Sequence, residues 1–583
     1  MNDFDRPSDE PRRALLTVAT CLLVLILGLM LCCVGRADGT EPKSPGAGVQ
    51  LPSQHVESLF ACVTGEALEA RQPALTSTKL TCPTRGRCDR PSNRDLAIPD
   101  EETPIKYLTV RYQSLANGDG SEPLFSRADA AAATQWLNFC YQPWRIQFVF
   151  DHRMIYSFRF HEIHGGWPVV DELGREYSFD IRRYMNIFTT NNWCEWQSQY
   201  TLCGGALGPW QYSSTGPPWT VLMTRNHWAA EGLICHEVGH NFGLIHTFGD
   251  FDVAPCSACD EVVGAGNGDT SGDFCSDTPP TPEDPWNTRC APAIGTDQCS
   301  GLPWGETDYR NWMAYTPYAP CKDHFTAQQA GRMHCWLEDT RSEWISYAAI
   351  EPDADFGPAP LEVRFEGVTS MRANDWQWAF GDGGTGEGQQ PIHIYAAPGI
   401  FSPTVTIDTA EGEFEAAMPR EIWVHQGSIS IANVEQTPGG SEVIVPVTIT
   451  NSVPVDFVDL PLQWSGSDGL ALDSVTTRGF PAAQWIERDP VNRRGCLRVW
   501  TVDDLALAPG EHHLANLFFT LDPSTSFAST SIRLEEYGEC RALFVTDRGA
   551  FQPEAVNGSL LICEGATCAW ADPVRRPFGR RQP

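Results

Sequence analysis

Four residues in one short stretch have the types and spacing of a catalytic metal site. They are His236, Glu237, His240 and His246, within His236-Glu237-Val238-Gly239-His240-Asn241-Phe242-Gly243-Leu244-Ile245-His246. On a helix, positions i and i+4 share a face, so His236 and His240 can present two imidazoles to one ion. Catalytic zinc takes three protein ligands and keeps a fourth position open for water. His246 can be the third ligand only if the helix stops first, and Gly243 permits the left-handed turn that ends it. Glu237 can then reach the attacking water without being a ligand, in the place of a general base.

These residues need elements to hold them. The stretch Asn226 to Asn241 reads as a helix with Asn226 as its cap. Upstream, Ile105–Tyr112 alternates as a strand and Ser126 caps a helix running to about Phe139. Trp144–Phe150 and Tyr184–Thr189 read as two further strands. This mixed α and β region closes near Trp344. Beyond residue 350 helical signals vanish, and short alternating strands between Gly/Pro turns indicate two all-β sandwiches, at 350–426 and 427–563.

Composition sets the compartment. At 583 residues the chain needs several domains, and its net charge of -33 argues against nucleic acid as a partner. Twenty-one cysteines are too many for a reducing cytosol and point to disulfides in an exported protein. Ala14–Val34 is an uncharged run of 21 residues behind Arg12 and Arg13. Residues 1–37 therefore read as a signal peptide cut after Ala37, or as a membrane anchor if 14–34 is not cleaved. Both readings place the remainder outside the membrane, and the Arg pair leaves a twin-arginine signal open. Residues 38–103, rich in Pro, Ser, Thr and Arg, read as a pro-segment or linker, and 564–583 as a basic C-terminal tail.

The eleven-residue run resembles the extended zinc motif of the metzincins, and more narrowly their pappalysin/cytophagalysin branch. Support comes from His246-Thr247-Phe248, Asp277-Thr278-Pro279-Pro280, Asn311-Trp312-Met313-Ala314-Tyr315 and Phe325 to Met333. The resemblance implies an α+β catalytic domain over 104–345, a mixed sheet with an active-site helix. It implies zinc-dependent endopeptidase activity on a protein or peptide substrate. It also implies a Met-turn at Met313 beneath the histidines and a Tyr315 that stabilises the oxyanion. The strand at 184–189 resembles the family's cleft-edge strand, on which an extended peptide would add.

Between His246 and Met313 lie twelve Asp/Glu against two Arg. One reading is a calcium-binding loop with Asp269, Asp273, Asp277 and Thr278 as ligands, which the resemblance favours; the other is a solvated acidic loop. Cys256-Ser257-Ala258-Cys259 has no partner CxxC, so disulfides are expected there rather than a second zinc site. Cys62, Cys82 and Cys88 are available to cap the zinc as a latency thiolate. Against this, the 18 cysteines after the leader can all pair. Cys235 points away from the metal as a structural residue, and Cys496, Cys540, Cys563 and Cys568 can form two bridges.

Trp376 to Gly383 followed by His393 to Gly399 resembles a PKD domain. Its aromatics are read either as contacts to a glycan, protein or cell surface, or as a buried core in a spacer. His393 is read as a structural strand residue. Residues 427–563 resemble a cohesin-like module on Val443–Ile449, Leu514–Phe519 and Val556–Ser559. The rival function is an exported adhesion or binding protein whose metzincin domain is inactive.

Overall fold

A computed structural model describes residues 61–64, 82–161, 163–164, 167–190, 193–194, 202–211, 221–224, 233–249, 256–282, 290–315, 321–437, 441–465, 470–477, 482–489, 492–500, 506–522, 528–538 and 540–563. All belong to one compact unit, Ser58–Pro583. The leader reading at 1–37, the tail at 564–583 and the helix cap at Asn226 lie outside the described residues.

The mixed α and β region is a six-stranded sheet with helices. Its elements are β1 (Ala61–Thr64), α1 (Pro91–Leu96), β2 (Lys106–Ala116), α2 (Arg127–Tyr141), β3 (Ile146–Tyr156), α3 (Trp167–Tyr177), β4 (Tyr184–Thr190), β5 (Leu202–Ala206), β6 (Val221–Thr224), α4 (Leu233–Asn241) and α5 (Ala327–Thr340). The strand order is β1-β5-β6-β4-β2-β3. β2, β3, β4 and β6 are parallel, whereas β5 runs antiparallel to β6 and β1 adds parallel to β5. Leu108, Val110 and Tyr112 of β2 bury against Ala133 and Leu137 of α2, Val238 of α4 and Met333 of α5. Ser126 and Thr326 each start a helix with a capping box, closed by Asp129 and Gln329.

Two expectations change here. The strand at 184–189 is present as β4, but β2 and β6 flank it on both sides, so it offers no edge to a peptide. Alternation identifies a strand; it says nothing about its neighbours. The outer position, on the side of the antiparallel strand β5, is taken by residues 61–64. Second, residues 82–103 are not a loose linker. Cys82 bonds Cys259, Cys88 bonds Cys335, and α1 packs on α5, where a Cβ on Gly331 would lie 2.4 Å from the Arg94 carbonyl oxygen.

After residue 347 the described residues hold strands and no helix. Residues 348–425 form a small sandwich whose core holds Trp376, Trp378, Phe380 and Tyr395. The two tryptophans are buried, so they build the module rather than face a partner. His393 is structural as expected: its ring stacks on Phe380 and its Nε2 meets Asp382. Residues 427–563 form a larger two-sheet sandwich with its own aliphatic core and a Cys496–Cys540 bridge.

The sandwiches are bolted to the edge of the six-stranded sheet. Asp355 receives Arg127 of α2 and Arg420, and Arg420 also donates to the Phe150 carbonyl. Buried Asp151 of β3 pairs both with Arg111 of β2 and with Arg548 of the last sandwich. The Met154 amide donates to Asp547, and Phe457 packs edge-on against Tyr156.

Candidate metal centre

α4 carries His236, Glu237 and His240, each at most 2% exposed, and Gly243 ends it at φ +90°. A side chain there would fail twice. The left-handed backbone disfavours it, and its Cβ would lie 2.2 Å from the Trp336 indole. The turn so formed returns His246 to the other two histidines.

The three Nε2 atoms lie 3.1–3.2 Å from one another. Nitrogens so spaced could all reach one zinc ion at its usual ~2.0–2.1 Å bond length. Two of the remaining ring nitrogens are committed: His236 Nδ1 donates to the Trp312 carbonyl at 2.7 Å and His240 Nδ1 to the Leu244 carbonyl at 2.9 Å. That fixes the tautomer in which Nε2 offers a lone pair. Burial, with His240 beside them, lowers the pKa of His236 and of His246 well below the usual histidine value, keeping both neutral as ligands must be. Three converging imidazole nitrogens in a buried site fit a divalent cation, and among the described residues these histidines form the only such cluster.

Met313 is fully buried beneath them, its sulfur 2.6 Å from where a Cβ on Gly239 would stand. Asn311 holds the turn by accepting from the Met313 amide and exchanging hydrogen bonds with Gln329 of α5. Thus the Asn-Trp-Met segment and the start of α5 serve one purpose, to place Met313 and the Trp312 carbonyl. Tyr315 lies alongside, its ring 4.5 Å from that of His246 and 5.9 Å from that of His236.

The four residues read as calcium ligands are placed unequally. Asp273 and Thr278 meet, the hydroxyl donating to the carboxylate at 2.8 and 2.9 Å. Asp269 pairs with Arg94, and Asp277 accepts from Thr326 and the Gln328 amide at the start of α5. Sequence reasoning missed Glu261, whose Oε2 is buried without a hydrogen-bond partner. Burial, then Asp273 and Asp269, pushes its pKa up to about 9; burial pushes Asp273 up to about 7. Nothing in the local spacing marks Glu261, because the chain must turn at Gly268 and Gly272 to bring it beside Asp273.

The cysteines correct one expectation. Cys82 and Cys88 are bridged, so neither supplies a thiolate to the metal, while the side chain of Cys62 lies outside the described residues. Cys235 pairs with Cys140, Cys256 with Cys299 and Cys290 with Cys321. Cys275 is a buried free thiol, so the cysteines do not all pair.

A mixed sheet, three histidines that converge after a glycine break and a buried methionine beside them are the features that the metzincin resemblance implies. Comparison with known proteins narrows it. Residues 170–338 match the family model described as pregnancy-associated plasma protein-A, and residues 350–424 match the PKD domain. The chain therefore carries a pappalysin-type metalloprotease domain joined to a PKD domain. Mouse (Mus musculus) pappalysin-1 is 30% identical over 211 residues, 35% of this chain and 12% of that protein. An extracellular metalloprotease of Colletotrichum graminicola is 35% identical over 114 residues, 20% of this chain and 31% of that one. The chain thus spans less than a third of either relative. A cohesin from Clostridium thermocellum, solved with a dockerin, is 15% identical over 24% of this chain and 99% of its own, with a TM-score of 0.20. Residues 427–563 are a sandwich by their own two sheets of strands.

Proposed function

We propose that the chain is an exported endopeptidase that cleaves peptide bonds in proteins or peptides. The observation that carries this is the convergence of three imidazoles, with Glu237 on the same helix, in one buried site. Zinc held there would polarise the scissile carbonyl and acidify a water. Glu237 takes the proton of the attacking water and passes it to the leaving amine. The Tyr315 hydroxyl donates to the carbonyl oxygen as negative charge gathers on it. No residue of the chain need form an acyl intermediate. The disulfides and the fungal relative's printed name support export; among the described residues no helix is long and apolar enough to cross a membrane. Casein or gelatin should be cut internally by the purified protein and spared when a chelator is present. Intact substrate in both arms would instead favour the adhesion reading.

The β1 pairing supports a latency role for the N-terminal segment. β5 leads to Leu207, whose carbonyl accepts from Asn241 at the end of the zinc helix. In this reading β1 takes the strand position beside β5 that an extended peptide would use. Cutting the chain between Thr64 and Cys82 should raise the rate of casein hydrolysis, and an unchanged rate would remove this role.

Calcium belongs to the same proposal, with Glu261 and Asp273 as the carboxylates that would face it. Their folded pKa values lie above the unfolded ones, so without a cation their contribution to stability is complete below about pH 4. It is lost as pH rises through about 7 and then about 9. Millimolar calcium should therefore raise the melting temperature at pH 8 and leave it nearly unchanged at pH 5. An equal shift at both pH values would count against a site here.

A further inference from the structure

The turn between the second and third histidines is held from outside by one buried ion pair. Arg332 of α5 is fully buried, and its Nη2 and Nε donate to the Gly243 carbonyl at 2.8 and 3.2 Å. Its Nη1 donates at 2.8 Å to Oδ1 of Asp89, whose side chain is also fully buried. Asp89 Oδ2 accepts from the Arg85 amide, and its neighbour Cys88 is bonded to Cys335, one turn along α5 from Arg332. Trp336, at the same place, closes over the Gly243 backbone. Asp89 lies outside the residues that match the metallopeptidase family.

Resting on the zinc reading above, we infer that Asp89 is a positioning residue of the metal centre. Through Arg332 it fixes the Gly243 carbonyl, and with it the chain that runs from His240 to His246. A buried guanidinium needs a counter-charge to remain where it is. Only with Asp89 in place can Arg332 keep both donors on a neutral carbonyl rather than turn toward another acid or toward water. The Gly243 amide is tied at 2.9 Å to the His240 carbonyl, so a shift of this peptide moves the segment between two ligands. The segment around Asp89, which reads in sequence as part of a pro-segment or linker, is therefore part of the working centre. A cut before Cys82 would leave this segment in place, since Cys82 and Cys88 are bonded to Cys259 and Cys335.

The test is the rate at which zinc leaves the folded full-length protein, read with a colorimetric chelator beside kcat and KM. D89N keeps the shape and an acceptor but removes the charge. It should release zinc about tenfold faster, a change of the size that outer-sphere partners of metal ligands produce. Its kcat should fall by a similar factor, with KM within about twofold. The double variant Asp89→Leu/Arg332→Met removes both charges, and exchanges of this kind are often neutral for stability. It should melt near the wild type and still release zinc fast. Zinc release within about twofold of the wild type in both variants would overturn the inference. So would fast release in D89N that the double variant restores, because Asp89 would then only neutralise Arg332. A wild-type protein that holds no zinc would strike the underlying reading instead, and the first arm shows it.

Discussion

Replacing Glu237 by Gln is expected to leave zinc bound and to lower kcat for peptide hydrolysis by about 10²–10⁴-fold, the usual worth of a positioned general base. Gln has nearly the same shape, so the buried pocket and the helix that presents His236 and His240 should persist. What disappears is a group that accepts a proton at neutral pH. Glu237 follows His236 directly on α4 and is shut away from solvent. Bulk buffer is therefore a poor substitute. KM should change little, because the loss falls on the transition state rather than on substrate binding. Zinc content by metal analysis and a full progress curve on one peptide separate the two effects. Activity within about tenfold of the wild type would remove Glu237 from the role.

Asp151→Ala should have the largest effect on stability. Asp151 is fully buried between Arg111 and Arg548, which come from β2 and from the last sandwich. Burial alone would raise its pKa, but Arg548 and then Arg111 outweigh it and hold the carboxylate below the usual range. Removing it leaves two guanidinium groups facing each other without a counter-charge, and breaking a buried pair in this way costs about 3–5 kcal/mol. The loss should appear in urea as an early transition in which the last sandwich comes away from the catalytic domain. Because the folded pKa is depressed, the pair's contribution is present above about pH 4 and fades as pH falls through the folded value. A shift of less than about 1 kcal/mol would mean that the sandwich is held by its other contacts.

The convergence of the three histidines was legible in the sequence because it is local. His236, Glu237, His240, Gly243 and His246 act through helix periodicity and one glycine turn, and no distant residue is needed to foresee their convergence. The strands at 105–112 and 144–150 were legible for the same reason. Their true ends, Ala116 and Tyr156, are set by parallel pairing with each other, which no local pattern records. Pairing also decided the fate of 184–189, an inner strand rather than the cleft edge. Asp151 and Arg548 lie 397 residues apart, and Asp89 and Arg332 243 apart. A charge that must be buried carries no local signature of its partner. Asp277 is the intermediate case. It reads as one more acid in an acidic loop until α5 begins beside it and gives it two donors. Cysteine types pointed to export, whereas their pairing waited on the fold.

The most direct test of the whole account is a zinc titration of chelator-stripped protein, with hydrolysis of one peptide followed at each addition. Activity should return in proportion to zinc and reach its plateau at one equivalent per chain, with all three histidines required for that plateau. Peptide hydrolysis that survives complete removal of zinc, or that is the same when His246 is replaced by Ala, would contradict it.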